Sequence, residues 1–446
     1  MAKLVYRTFG LLVGSLTPYF HRRLLLIMVL GFASGLPLLL SFGTLSAWLR
    51  EADIERSTIG LFSLVGLPYA LKPLWAPFMD GLRIPFLTQA LGRRRSWLIF
   101  SQLMLVISIS GLALSNPSKT PFLMAIFAVL VAFFSASQDI VIDAYRIETL
   151  PDNEQGLGAA MVTYGYRLGM LVAGAGVLFL ADYWTWTYAY LIMAALVLIG
   201  TVVVCLSKEP PISISLYITN SHQSEQNKIN FPMWVRKFVC APFSDFSTRQ
   251  GWFYILIFIV TFKLGDAFLS IMTNPFYIDL GFTKTEIAEV TKLFGILALV
   301  VGLFVGGLLI KKIGLLPSLL ISGILQALSN LAFAYQALAG YDLSALTITI
   351  AVENITGGMG TAAFVAYLSN LTNTDFTATQ YAFLSALMSL GRNVLSSPSG
   401  YLVDAVGWFD FFIYSTLIAL PGLIILLILM KFYPDHAKRR APKIEI

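Results

Sequence analysis

The chain has 446 residues, 57% hydrophobic and 12% charged, with mean hydropathy +0.77 and a formal net charge of +6. Soluble domains carry about 25% charged residues, so a soluble fold is excluded and an integral membrane protein is implied. The lysines and arginines are spread over short loops rather than gathered on one surface, which excludes a nucleic-acid footprint. Two cysteines, Cys205 in an apolar run and Cys240 in a long loop, exclude a disulfide framework. The first apolar run is long enough to span and lacks a small-residue cleavage pattern, so no cleavable signal peptide is expected.

Twelve apolar segments of spanning length follow in order, at 24–49, 58–79, 96–115, 121–149, 156–180, 187–206, 251–279, 287–310, 316–339, 343–369, 379–403 and 410–431. Basic residues cluster at alternate ends: Lys3, Arg7, Arg22 and Arg23, then Arg83 and Arg93 to Arg95, Lys208 to Arg249, Lys311 and Lys312, and the tail from Lys431 to Lys443. The opposite loops offer only Arg50, Arg56, Lys119 and Lys284. The positive-inside rule therefore puts both termini in the cytoplasm. The expected fold is an all-α membrane protein: a six-helix bundle over 1–206, a cytoplasmic linker over 207–250, and a second six-helix bundle with a basic cytoplasmic tail over 251–446. The linker's end, Phe231 to Val239, mixes aromatic and basic residues and suits a short helix at the interface, or a plain connector.

The halves echo each other. Asp80 and Gly92-Arg93-Arg94-Arg95 follow the second span, and Lys311-Lys312-Ile313-Gly314 follow the eighth; Arg167 sits midway along the fifth span and Arg392 midway along the eleventh. Two six-helix halves with a basic turn after the second helix of each is the plan of a major-facilitator transporter. Helix breaks are expected at Gly35-Leu36-Pro37, Asn274-Pro275 and Ser396 to Gly400, where irregular backbone lines a cavity or simply kinks a helix.

The most informative stretch is Ser135 to Arg146, which closes the fourth span. At about 100° per residue Ser135, Asp139, Asp143 and Arg146 share one face, with Gln138 on its flank. A charge in hydrocarbon costs several kcal/mol unless it faces protein or water and finds a partner, so this stripe lines an interior. Asp139, Arg167 and Lys72 lie at similar mid-membrane depth and suggest a binding or gating cluster, with a structural ion-pair network as the alternative. Asp143 and Arg146 lie nearer the cytoplasm and are expected to join Asp80, Arg83 and Arg93, Arg94 and Arg95 in a gate. Tyr69 and Trp75 are candidates for stacking on a sugar ring. In the second half Lys263 and Asp266 are three apart and could neutralise each other. Glu353, beside Asn354 and Gly357-Gly358-Met359-Gly360, has no cation within a helical turn and stands first for proton exchange, ahead of Asp139 and Asp266. A pair with Arg392 would oppose that role. No enzyme signature is present: His21, His222 and His436 lie outside the spans without metal-ligand spacing, and there is no phosphate loop.

These residues carry a resemblance. Leu30 to Pro37, Gly60 to Gly66, Ser135 to Asp143, Gly165 to Met170, Lys263 to Phe268, Glu353-Asn354 with Gly357 to Thr361, and Ala378-Thr379-Gln380 together resemble the AmpG-type muropeptide permeases of the major facilitator superfamily. The resemblance implies import of N-acetylglucosaminyl-1,6-anhydro-N-acetylmuramic acid, with or without its peptide, across the inner membrane for peptidoglycan recycling, dependent on the proton-motive force. A monomer in the lipid bilayer, with no cofactor and no metal, is expected. From the reading of the residues themselves, the candidate substrate-binding set is Gln138, Asp139, Arg167, Lys72, Tyr69, Trp75, Arg392 and Asn354. Some members of the family continue past the twelfth helix, whereas this sequence ends at Ile446. A carrier of another large polar or acyl-carrying solute, or a non-transporting assembly or sensing factor, are the competing readings.

Overall fold

The computed structural model describes residues 17–54, 65–210, 231–395 and 398–437. The first half comprises α1 Arg22–Ser41, α2 Gly43–Glu51, α3 Leu67–Leu71, α4 Ala76–Gly81, α5 Leu87–Leu91, α6 Arg93–Leu114, α7 Pro121–Thr149, α8 Gln155–Leu171, α9 Val177–Tyr183 and α10 Trp186–Leu206. The linker contributes α11 Phe231–Val235 and α12 Ala241–Ser247. The second half comprises α13 Trp252–Thr261, α14 Leu264–Asp279, α15 Lys284–Ile287, α16 Gly295–Ile313, α17 Leu315–Ala339, α18 Leu343–Leu371, α19 Thr377–Leu395 and α20 Ser399–Phe432. Among the described residues no strand occurs, and ten helical stretches are long and apolar enough to cross a membrane. The two expected spans missing from those ten are the second and the eleventh. Part of the second lies outside the described residues; the rest is divided into α3, a 3-10 turn at Lys72–Leu74, and α4. The eleventh includes α19, described as far as Leu395, where the described residues are interrupted.

Two of the three expected breaks fall elsewhere. α1 runs through Pro37 and stops at Ser41, with Phe42 outside helical geometry. Proline lacks the N–H that would reach the carbonyl four residues back, and the Gln138 amide of α7 takes that place, donating to Ala33 O at 3.0 Å. α14 likewise runs through Pro275, and the seventh span is broken instead at Phe262 and Lys263. At the third, Pro398 is non-helical just before α20 begins at Ser399, with Ser396 and Ser397 outside the described residues. Gly407, at φ 77°, separates the last two spans inside α20.

Small residues set the helix spacing. α1 and α8 approach so closely that a Cβ on Gly35 would overlap the Tyr166 carbonyl, and one on Gly165 the Met28 carbonyl. The halves share one turn conformation: Gly92 before α6 and Gly314 before α17 have φ 89°, ψ 174° and φ 88°, ψ 170°. Only glycine adopts that region readily. The charges around the two turns differ, since Arg94 is buried whereas Lys311 and Lys312 are exposed.

The halves meet through α8 against α16 and α18, and through α19 against α4 and α7. The contacts gather at the end where Arg93 to Arg95 and Lys311-Lys312 lie, the basic end. The linker is helical from Phe231 to Ser247 in consecutive turns and touches both halves there. Trp234 stacks on Phe78 of α4 at 5.0 Å, while Gln380 of α19 donates to Pro242 O and Asp245 Oδ2, each at 3.0 Å.

Candidate functional site

The polar residues form layers along the seam between the halves. At the basic end Asp80, at the end of α4, is almost fully buried. Its Oδ1 pairs with Arg94 Nη2 at 2.7 Å. Its Oδ2 accepts from Thr379 N at 2.8 Å and Thr379 Oγ1 at 2.7 Å, and Ala378 N lies 3.3 Å from Oδ1. Those donors open α19, so a first-half carboxylate seats on the N-terminus of a second-half helix, where unpaired N–H groups and the helix dipole favour negative charge. Arg94 also pairs with Glu148 at 2.6 Å, and Arg93 joins Glu148 at 3.3 Å and the Asp80 carbonyl at 3.2 Å.

Four of the expected gate residues are placed differently. Arg95 binds the Val204 and Cys205 carbonyls and so staples α6 to α10. Arg83 is exposed and makes no ion pair among the described residues. Asp143 and Arg146 do not join the Arg93–Arg94 network. Its acid is Glu148, about 200° around α7 from Arg146. Arg146 forms a second layer: it pairs with Asp143 at 3.4 Å, donates to Ser369 Oγ of α18 at 3.0 Å, and lies 5.6 Å from the Tyr381 ring centroid of α19. Glu209, which accepts from Arg94 N at 2.8 Å and Arg95 N at 3.1 Å, caps α6; burial raises its carboxyl above the usual range, and these donors oppose that.

Deeper still, Asp139 is half-buried and accepts from Ser34 Oγ of α1 at 2.5 Å. Lys72 stands within electrostatic reach of both Asp139 and Asp143. The Tyr69 hydroxyl is buried within electrostatic reach of Asp139, beside the Ser135 and Ser41 hydroxyls. Arg167 is exposed on α8, on the face of Gly156, which abuts Ile310 of α16, and of Tyr164, whose ring lies 6.0 Å from Phe304. That face looks toward the other half, so Arg167 lines the seam above the contact.

Gln138 and Trp75 are used for packing. Gln138 is fully buried on the α1 carbonyl described above. Trp75 donates Nε1–H to Ser137 Oγ at 3.1 Å and packs on Phe133 at 4.8 Å, on a face of α7 away from Asp139. In the second half Lys263 Nζ lies 3.2 Å from Asp266 Oδ2 and 3.0 Å from Gln326 Oε1. Asn354 Nδ2 donates to Glu353 Oε2 at 2.7 Å and to Ile350 O at 3.0 Å. The expectation that Glu353 has no nearby cation holds for its own helix only: Lys263 reaches it electrostatically from the seventh span. The Arg392 side chain lies outside the described residues.

Sequence reasoning missed Glu148, Ser34, Gln326 and Thr379. Glu148 and Gln326 carried the signal that singled out Asp139 and Gln138, a polar side chain in an apolar run. Ser34 and Thr379 stood out only as members of the stretches that carry the resemblance, since a hydroxyl is tolerated anywhere on a buried helix by bonding its own backbone.

The Major Facilitator Superfamily model matches residues 43–288 and 255–445. The anhydromuropeptide permease of Escherichia coli strain K12 is 42% identical over 405 residues, 90% of this chain and 79% of that protein. The chain belongs to the AmpG family of the Major Facilitator Superfamily. Another AmpG-type relative, the transporter named AmpG 4 of Rickettsia felis, is 37% identical over 92% of this chain and 97% of its own length. Among solved structures, the proton:xylose symporter XylE superposes with a TM-score of 0.60 at 14% identity, covering 93% of this chain and 95% of its own. The human organic anion transporter MFSD10 gives 0.59 at 14%, over 90% and 96%. At that identity they establish the shared fold alone. This AmpG-family chain is thus an all-α, multi-pass membrane protein with the major-facilitator architecture.

Proposed function

We propose that this protein imports anhydro-muropeptides, N-acetylglucosaminyl-1,6-anhydro-N-acetylmuramic acid with or without peptide, across the cell inner membrane for peptidoglycan recycling. The carrying observation is the 42% identity to a permease named for that substrate, over 90% of the chain. Transport is by alternating access driven by the proton-motive force, with no cofactor and no covalent chemistry on the substrate. The basic end faces the cytoplasm, and the Asp80–α19 latch with the Arg146–Ser369 layer closes the path there. The carrier then waits with its seam accessible from the opposite face. The protein acts as a monomer.

Within the seam Asp139, Lys72, Arg167 and Tyr69 from the first half and Asn354 from the second meet the substrate, with Arg392 beside them. Hydrogen bonds to charged groups contribute about 1.5–3 kcal/mol each, enough to hold sugar hydroxyls and a carboxylate. Glu353 is the leading proton carrier, followed by Asp139 and Asp266.

The test is uptake of the labelled anhydro-disaccharide into proteoliposomes under an imposed pH gradient. Accumulation above the equilibrium level supports the reading. Equilibration without accumulation removes proton coupling, and no uptake at all leaves a carrier of another solute or a non-transporting factor. Glu353→Gln should still exchange substrate across a membrane without a gradient, yet fail to concentrate it. Normal accumulation with unchanged pH dependence would rule Glu353 out.

A further inference from the structure

The seventh span loses its helix where it carries its cation. α13 ends at Thr261 and α14 begins at Leu264, with Lys263 between them at φ −98°, ψ 12°. From this joint Nζ donates to Asp266 Oδ2 and to Gln326 Oε1, and the Gln326 amide donates to the same Asp266 oxygen. Gly360 of α18 leaves room for the cluster, since a Cβ there would lie 3.3 Å from Lys263 Nζ and press on Gln326 Oε1. Glu353, seven residues earlier on α18, is a second carboxylate within electrostatic reach of both Lys263 and Asp266.

One ammonium offsets one carboxylate, and a second charge left in an apolar span costs several kcal/mol. We propose, resting on the proton-coupled reading above, that Lys263 is the shared counter-ion of Asp266 and Glu353, that Gln326 is its positioning residue, and that the transported proton offsets the remaining carboxylate. The proton adds to a carboxylate oxygen from water on one face and leaves to water on the other; no other bond changes. Lys263 forms the joint itself, so a change of its partner from Asp266 to Glu353 moves α14 against α13. Protonation is thereby tied to the shape of the seventh span.

Among the described residues, the groups facing this cluster include Lys263, Asp266 and Tyr277 on the seventh span, Gln326 on α17, and Glu353 and Asn354 on α18. Arg392 of α19 and Lys292 have side chains outside the described residues, so the test includes Arg392.

Accumulation of the labelled anhydro-disaccharide is measured against external pH in proteoliposomes. Lys263→Gln removes the shared cation, the proton is held more tightly, and the half-maximal pH rises by about one unit. Asp266→Asn leaves Lys263 wholly to Glu353, and the half-maximal pH falls by about as much. The double variant returns toward wild type. Gln326→Ala moves the profile in the direction of Lys263→Gln by a smaller amount. A structural role alone would lower the yield of folded carrier without opposed shifts. If Lys263→Gln does not fold, the opposed shifts of Gln326→Ala and Asp266→Asn still decide. Shifts in one direction only, or none, overturn the proposal, as does Arg392→Gln producing the full shift while Lys263→Gln produces none. Wild-type carrier that never accumulates substrate would instead overturn the proton-coupled reading, before any variant is compared.

Discussion

Asp80→Asn separates the contacts that hold the first half together from the one that joins it to the second. The substitution keeps the shape and removes the charge. Within the first half it breaks the 2.7 Å pair with Arg94, but Arg94 keeps Glu148 at 2.6 Å, so that loss is partly covered. Between the halves it weakens the bonds from Thr379 N and Thr379 Oγ1 and removes the anion from the start of α19. A partly buried charge at a helix terminus contributes up to about 2 kcal/mol. A loss of that size shifts the balance between closed and open basic ends by roughly 30-fold. Spin labels at the exposed positions 83 and 312, on a background without Cys205 and Cys240, report the separation of the halves by pulsed electron resonance. The variant should show a new, longer distance that wild type lacks. Thr379→Val should reproduce part of it, because it removes one of the same bonds from the other side. Arg94→Gln should mainly lower thermal stability. An unchanged distance distribution in folded Asp80→Asn would refute the latch.

Gln138→Ala should lower thermal stability by about 1–3 kcal/mol, by orphaning the Ala33 carbonyl beneath Pro37, while uptake per folded molecule is retained; loss of uptake at full stability would return Gln138 to the binding site. Asp139→Asn should reduce uptake by on the order of tenfold with folded carrier preserved, and Ser34→Ala should give a smaller defect of the same kind. Uptake that follows folded yield in both would make Asp139 a packing residue. His436, beyond α20, is held neutral by burial below the ordinary value of 6.5, with the Tyr433 carbonyl opposing and Arg249 reinforcing that shift. A depressed histidine contributes stability in full above the unfolded value and loses it as pH falls through the folded one. Hydrogen exchange around Tyr433 to Ala437 should therefore speed up on acidification below about pH 6.5, and His436→Phe should abolish that dependence. A pH-independent rate in the wild type would refute it.

Much of the fold was legible in the sequence, because a membrane restricts the chain to apolar helices whose length matches the bilayer. The fourth span was expected at 121–149 and α7 is Pro121–Thr149; the expected boundaries of the sixth and ninth fall within about one residue of α10 and α17. Charges in those spans had to be interior, and so Asp139, Arg167, Lys263 and Glu353 could be singled out. What the sequence could not supply was partners. Gln138 and Asp139 are neighbours in the chain, yet one turns to an α1 carbonyl and the other to a hydroxyl and a lysine at the seam, since adjacent helical residues point about 100° apart. Asp80 and Thr379 are 299 residues apart, and only the docking of the two halves puts a carboxylate on the first turn of α19. The seventh span breaks at Phe262–Lys263 and not at Pro275, although proline is the residue that sequence rules mark for a kink. Hydropathy and length are properties of each segment alone, so the sequence determined ten of the twelve expected spans among the described residues. Pairing depends on which faces approach, and that was decided only when the helices packed.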